Sequence, residues 1–144
     1  EVKSYLEVLA ARDDLQPVNH VEGEVTIHDS CVYARYEGVV DEPRRLLERA
    51  GYTVREPKDA GALTHCCGGP IESLFPTMSH RIATKRVQQL KDANGRSVAT
   101  MCPICMASLQ QAANGELDIE DISSFLVRAF CEDEDAPKRL TDGT

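Results

Sequence analysis

The sequence has no tryptophan, and aromatic residues of all kinds make up only 5% of it. It has no apolar run near the roughly 18 residues a membrane span needs, so no direct membrane span is expected. The opening EVKSYLEVLAARDD has neither the basic nor the apolar region of a secretory signal, and a reducing, cytoplasmic setting is expected. No initiator Met stands at its head, as in a piece of a longer polypeptide. Positive charge is in short supply: 16 Lys and Arg face 24 Asp and Glu, a net charge of −8. That balance argues against nucleic acid and anionic membrane surfaces as partners, since both need a basic patch.

What is present supports one globular domain. Hydrophobic residues are 42% of 144, enough for a core and too many for disorder. The domain is expected over residues 1–131, with an acidic, mobile tail at 132–144. Helical spacing of Val2, Leu6 and Leu9 predicts a helix from Val2 to Arg12. Strands are expected at Glu24–His28, Tyr52–Glu56 and Ser97–Met101, with a short one at Leu117–Ile119. Between them, helices are expected over Glu42–Ala50, with Asp41 as cap, from Pro76 to Ala93, and from Cys102-Pro103 to Ala113. Met78, Ile82, Ala83, Val87 and Leu90 form the apolar face of the second of these. A last helix is expected over Asp121–Phe130. Asp29–Val40 and Lys58–Gly69 read as loops, the latter with a short strand as the alternative. Alternating strands and helices predict an α/β fold, a small parallel sheet covered by helices.

The sequence is rich in cysteine, with six. In a reducing compartment these are metal ligands or redox thiols, not disulfides. Five of them follow the pattern Cys31-x34-Cys66-Cys67-Gly68-x33-Cys102-x2-Cys105. Each group follows an expected strand, so all could meet at the carboxyl ends of the sheet, where open α/β sheets bind ligands. Cys102 and Cys105 open a helix, whose dipole favours thiolate, the metal-binding form. Gly68 and Gly69 permit a tight turn and close approach to a bulky group, and Pro70 stiffens its exit. Adjacent cysteines rarely both reach one tetrahedral zinc, whereas a multinuclear cluster can accept both. Four readings stay open on the residues alone: an iron–sulfur cluster, a structural zinc, a cluster-free thiol–disulfide couple of Cys102 and Cys105, and buried structural thiols.

The segments HDSCVYARYEG, THCCGGP and ATMCPICMASL resemble the cysteine-rich CCG domain, over roughly Glu24 to Leu109. That family includes the B-type subunit of heterodisulfide reductase and iron–sulfur subunits of related oxidoreductases. The resemblance implies a redox subunit that binds a noncubane [4Fe–4S] cluster through Cys31, Cys66, Cys67, Cys102 and Cys105. It implies electron transfer or thiol/disulfide reduction together with partner oxidoreductase subunits, with a small thiol or disulfide as the substrate class. Zinc is the family's alternative occupant. His28 matches a histidine often seen before the family's first cysteine, which implies a place near the cluster or substrate. The sequence departs from the family in carrying one module, no ferredoxin motif, and Ser30 where proline is common.

Outside the motif, Cys131 reads as an incidental thiol, and His20 and His80 as surface residues. His65 stands either as a donor to a cluster sulfide or as a plain loop histidine. Arg35 is near enough to Cys31 to face an anionic centre, although a solvated surface arginine is the favoured reading.

Overall fold

β-Branched segments that alternate with amphipathic ones fold into a four-stranded sheet in which every strand pair is parallel. A computed structural model describes residues 2–132. The strands are β1 (Gly23–His28), β2 (Tyr52–Arg55), β3 (Ser97–Thr100) and β4 (Asp118–Asp121), in the spatial order β2-β1-β3-β4. The helices are α1 (Tyr5–Ala10), α2 (Asp41–Ala50), α3 (Pro76–Asp92), α4 (Pro103–Ala113) and α5 (Ile122–Phe130). The expected α/β architecture is the observed one. The tail expected at 132–144 lies outside the described residues apart from Glu132.

The strand order determines which face each helix covers. The chain steps from β1 outward to β2, returns across β1 to β3, and continues outward to β4. Right-handed crossovers send connections of opposite direction to opposite faces. One core layer accordingly joins Leu6 and Ala10 of α1, Leu46 and Leu47 of α2 and Phe125 and Leu126 of α5 to Val25, Ile27 and Ala99 of the sheet. The other joins Val87 and Leu90 of α3 and Leu109 and Ala113 of α4 to Val98 and Ile119. Phe125 meets Tyr52 edge-on, with ring centroids 5.4 Å apart, an aromatic pair in a largely aliphatic layer.

Three local expectations need correction. The first helix starts at Tyr5, not Val2, because Ser4 and Glu7 form a capping box: Ser4 N–H donates to Glu7 Oε2 (2.8 Å) and Glu7 N–H to Ser4 Oγ (3.3 Å). Val2 is left exposed. Asp29–Val40 is not a plain loop. Val32–Glu37 winds as a π-helical turn with Val39 N–H bonded to Tyr33 O and Gly38 ending it in the left-handed region, at φ 71°. No turn former interrupts Val32–Glu37, so its backbone groups bond within the segment, and single π turns favour functional sites. Finally, Met78 is exposed, and the buried stripe of α3 is Ser79, Ala83, Arg86, Val87, Gln89 and Leu90.

Candidate metal centre at the carboxyl edge

The direction of the chain reverses between β1 and β3, which makes their carboxyl ends the topological switch point. His28 and Thr100, the last residues of these strands, are register partners. Beyond them, Cys31 opens the π-helical turn and Cys102 caps the N-terminus of α4, with Pro103 in the first helical position. Cys31 and Cys102 therefore leave neighbouring strands at the same edge of the sheet. Cys105, one turn into α4, is buried.

Cys66 and Cys67 arrive by a different route. The segment 58–64 is fastened beneath the β1 terminus: Gly61 N–H donates to Asp29 Oδ2 (2.6 Å) and Thr64 Oγ1 to Asp29 O (2.8 Å). Arg35 donates to Ala62 O (2.9 Å) and Thr64 O, so it acts as a clamp on this segment. The turn after it is held from two helices. Ser108 Oγ of α4 donates to Cys67 O (2.8 Å), and Ser79 Oγ of α3 to Gly68 O (2.9 Å). Gly68 lies at φ 84°, and a Cβ there would meet Ser79 O at 2.4 Å. A Cβ on Gly69 would meet Ile104 Cγ2 at 2.4 Å and Cys67 Sγ at 3.5 Å. Both glycines are needed for the pair to close against the CPIC turn.

The result is a convergence of thiols. Cys66 Sγ accepts from the Gly68 N–H (3.3 Å), within the turn that also carries Cys67. Cys102 packs against the same buried layer as Cys67 and Cys105. A ring nitrogen of His28 and the sulfurs of Cys67 and Cys105 lie within 4.8 Å of one another, all three residues buried. The Cys105 side chain holds the Cys67 thiol up at about 11, and the Cys67 side chain with burial raises Cys66 as well. Such thiols release their protons to a metal, not to water. None of the six cysteines is disulfide-bonded.

Beside the sulfurs lies a polar floor that the sequence did not reveal. Arg86 of α3 is 0% exposed and donates through Nε to His28 Nδ1 (3.0 Å). Its other donors reach Lys58 O (2.8 Å), Gln89 Oε1 (2.9 Å) and Thr64 Oγ1 (3.4 Å). Burial and the Arg86 charge push His28 down to about 3, so its ring is neutral. Burial lowers Arg86 too. Four buried side-chain atoms have no partner among the described residues: Thr26 Oγ1, His28 Nε2, Ser30 Oγ and Thr100 Oγ1. Three of these belong to residues at the carboxyl ends of β1 and β3.

The remaining candidates separate cleanly. His65 turns its Nδ1 to Cys66 O (3.0 Å), within the turn. His20 and His80 are exposed. Cys131 ends α5, where its carbonyl accepts from Asn19 Nδ2 (2.7 Å), beside the segment entering β1 at the opposite edge. Arg86 was legible in principle, since it is a charged residue in register with Ala83, Val87 and Leu90.

A doubly wound parallel sheet with buried thiols gathered at its switch point defines a class: α/β proteins whose cysteines can hold a redox or metal centre. Within that class, the chain belongs to the cysteine-rich CCG domain family, which it matches over residues 25–110. It is 32% identical to the EtfAB:quinone oxidoreductase of Syntrophomonas wolfei, over 90% of this chain and 21% of that protein. It is 31% identical to the B chain of the fumarate reductase (CoM/CoB) of Methanothermobacter marburgensis, over 88% of this chain and 27% of that protein. It is 25% identical to a subunit of the dihydromethanophenazine:CoB–CoM heterodisulfide reductase of Methanosarcina acetivorans, over 90% of this chain and 33% of that protein. The chain thus spans between a fifth and a third of the length of these relatives. No solved structure matches it. Among the described residues, no helix is long and apolar enough to cross a membrane.

The donor set fits the iron–sulfur centre that the family implies. It offers thiols in mutual contact, and the unpartnered hydroxyls and ring nitrogen suit sulfur acceptors.

Proposed function

We propose that this chain is the cluster-binding module of an iron–sulfur oxidoreductase, with Cys31, Cys66, Cys67, Cys102 and Cys105 as its thiolate set. The observation that carries the reading is the approach of the Cys67 and Cys105 sulfurs and a His28 ring nitrogen to within 4.8 Å of one another, with Cys102 packed on the same buried layer at the β1/β3 switch point. A cluster held there supplies one-electron redox chemistry. Adjacent Cys66 and Cys67 favour a multinuclear cluster over one tetrahedral ion, and the noncubane [4Fe–4S] form is what the family resemblance implies for it. The protein's own contribution is positional. Ser79 and Ser108 fix the turn of the pair, Gly68 and Gly69 let it close, and the Asp29-anchored segment sets its height above the sheet.

Electron donor and acceptor are other oxidoreductase subunits or domains in this reading, since the chain matches only part of each relative. A small thiol or disulfide is the substrate class carried over from the relatives named for CoM and CoB. Residues 1–131 form the working module around a motif core of 24–109, and the setting is the cytoplasm.

Anaerobic purification with iron and sulfide analysis, followed by EPR of the oxidised form, tests the proposal. A colourless protein without iron after reconstitution would count against it. A single zinc ion, retained when Cys67 is replaced, would support a structural metal instead. Redox activity that survives Cys66→Ala would favour the dithiol pair of Cys102 and Cys105.

A further inference from the structure

The Arg86–His28 contact determines more than packing. A guanidinium nitrogen can only donate, so the 3.0 Å contact requires His28 Nδ1 to be an acceptor. The neutral ring then carries its proton on Nε2, the atom left buried with no partner. The ring lies within 4.8 Å of the Cys67 and Cys105 sulfurs. A histidine that ligates a metal normally donates its other N–H to an acceptor. Here the other nitrogen faces a donor, so ligation through Nε2 would require removing the ring's last proton.

We propose that Arg86 fixes His28 as an Nε2–H donor to a sulfur of the bound centre, and that His28 is not a metal ligand. This rests on the iron–sulfur reading above. His28 is a tuning residue and Arg86 the positioning residue that acts through it. A second observation supports the assignment. Arg86 is fully buried, yet no carboxylate among the described residues forms an ion pair with it; its bonds go to carbonyls, an amide, a hydroxyl and the ring. A buried cation without a close partner is costly; Asp29 and Asp59 act on Arg86 only from beyond ion-pair distance, and an anionic cluster of sulfide and thiolate would add to that countercharge. Thr100 Oγ1, in register with His28, is a further unpartnered group on the same floor. Hydrogen bonds to sulfur stabilise the reduced, more negative cluster and raise its potential.

The test has two independent parts. In the metal-free protein, long-range proton–nitrogen NMR is expected to show His28 protonated at Nε2 and bare at Nδ1, and Arg86→Met is expected to release that preference. A proton on Nδ1 in the wild type overturns the proposal without touching the cluster reading. In reconstituted protein labelled with nitrogen-15 histidine, pulsed EPR is expected to show only weak nitrogen coupling. His28→Leu is expected to lower the midpoint potential at unchanged iron content, and His28→Gln, which keeps an N–H donor, to restore it in part. Strong coupling from a directly bound nitrogen, or an unmoved potential in His28→Leu, overturns the proposal. Failure to load iron at all removes the cluster reading, and the sulfur acceptor with it, whatever the tautomer.

Discussion

Arg44 grips the Asp29 carboxylate with both terminal nitrogens, at 2.8 and 2.9 Å, while its Nε holds Glu56 at 2.6 Å. Asp29 is 1% exposed and also receives the Gly61 amide, so this pair joins α2 to the loop that delivers the cysteine pair. Removing one partner of a buried ion pair strands the other. Arg44→Ala is expected to cost about 3 kcal/mol in urea unfolding, and the variant is expected to retain less iron through a dilution series than the wild type.

Gly68→Ala tests the turn directly. The residue sits at φ 84°, and its new Cβ would meet the Ser79 carbonyl oxygen. Strain and overpacking together predict a loss of roughly 2 to 4 kcal/mol. Iron and sulfide content after reconstitution is expected to fall in parallel, and full loading would show that the turn tolerates rearrangement.

Replacing cysteines one at a time separates the site from the bystander. Serine at Cys31, Cys66, Cys67, Cys102 or Cys105 is expected to reduce bound iron at least several-fold. Cys131→Ser is expected to leave it unchanged, because α5 carries that residue to the other edge of the sheet. Colorimetric iron analysis across the six variants decides the matter.

Metal removal is expected to leave the fold standing. Both core layers are built from aliphatic contacts between sheet and helices, most of them remote from the thiols. Chelated protein should keep its circular dichroism spectrum and a cooperative melt, with Tm rising on reloading because only the folded state offers the complete site. Collapse to a coil on chelation would place this chain with the metal-dependent folders.

The sheet and most helices were legible because hydrophobic period and caps speak locally. EVTIH, YTVRE and SVATM are short β-branched runs, and Pro76, Pro103 and Gly51 mark helix ends. The cysteine spacing was equally plain. Other features depend on contacts distant in sequence. Arg86 shares the register of Ala83, Val87 and Leu90, unlike the solvent-facing Arg81, Lys85 and Lys91, but its bond to His28, 58 residues away, is not encoded in that period. The height of Cys66 and Cys67 is set by Asp29, Arg35 and Thr64 through bonds that no periodicity encodes. The π-helical turn after Cys31 follows from the need to satisfy backbone groups between a strand end and α2, a demand invisible until both ends are placed.

The strand order β2-β1-β3-β4 has a bearing on biosynthesis. The sulfur-bearing turns enter the molecule from three separate crossovers, and the last emerges only after β3 is made. A nascent chain has no local loop that could trap iron early, unlike a motif whose ligands follow one another within a dozen residues. On the proposed cluster reading, loading would be a late event, since the five cysteines are all present only once the third strand and the start of α4 are made.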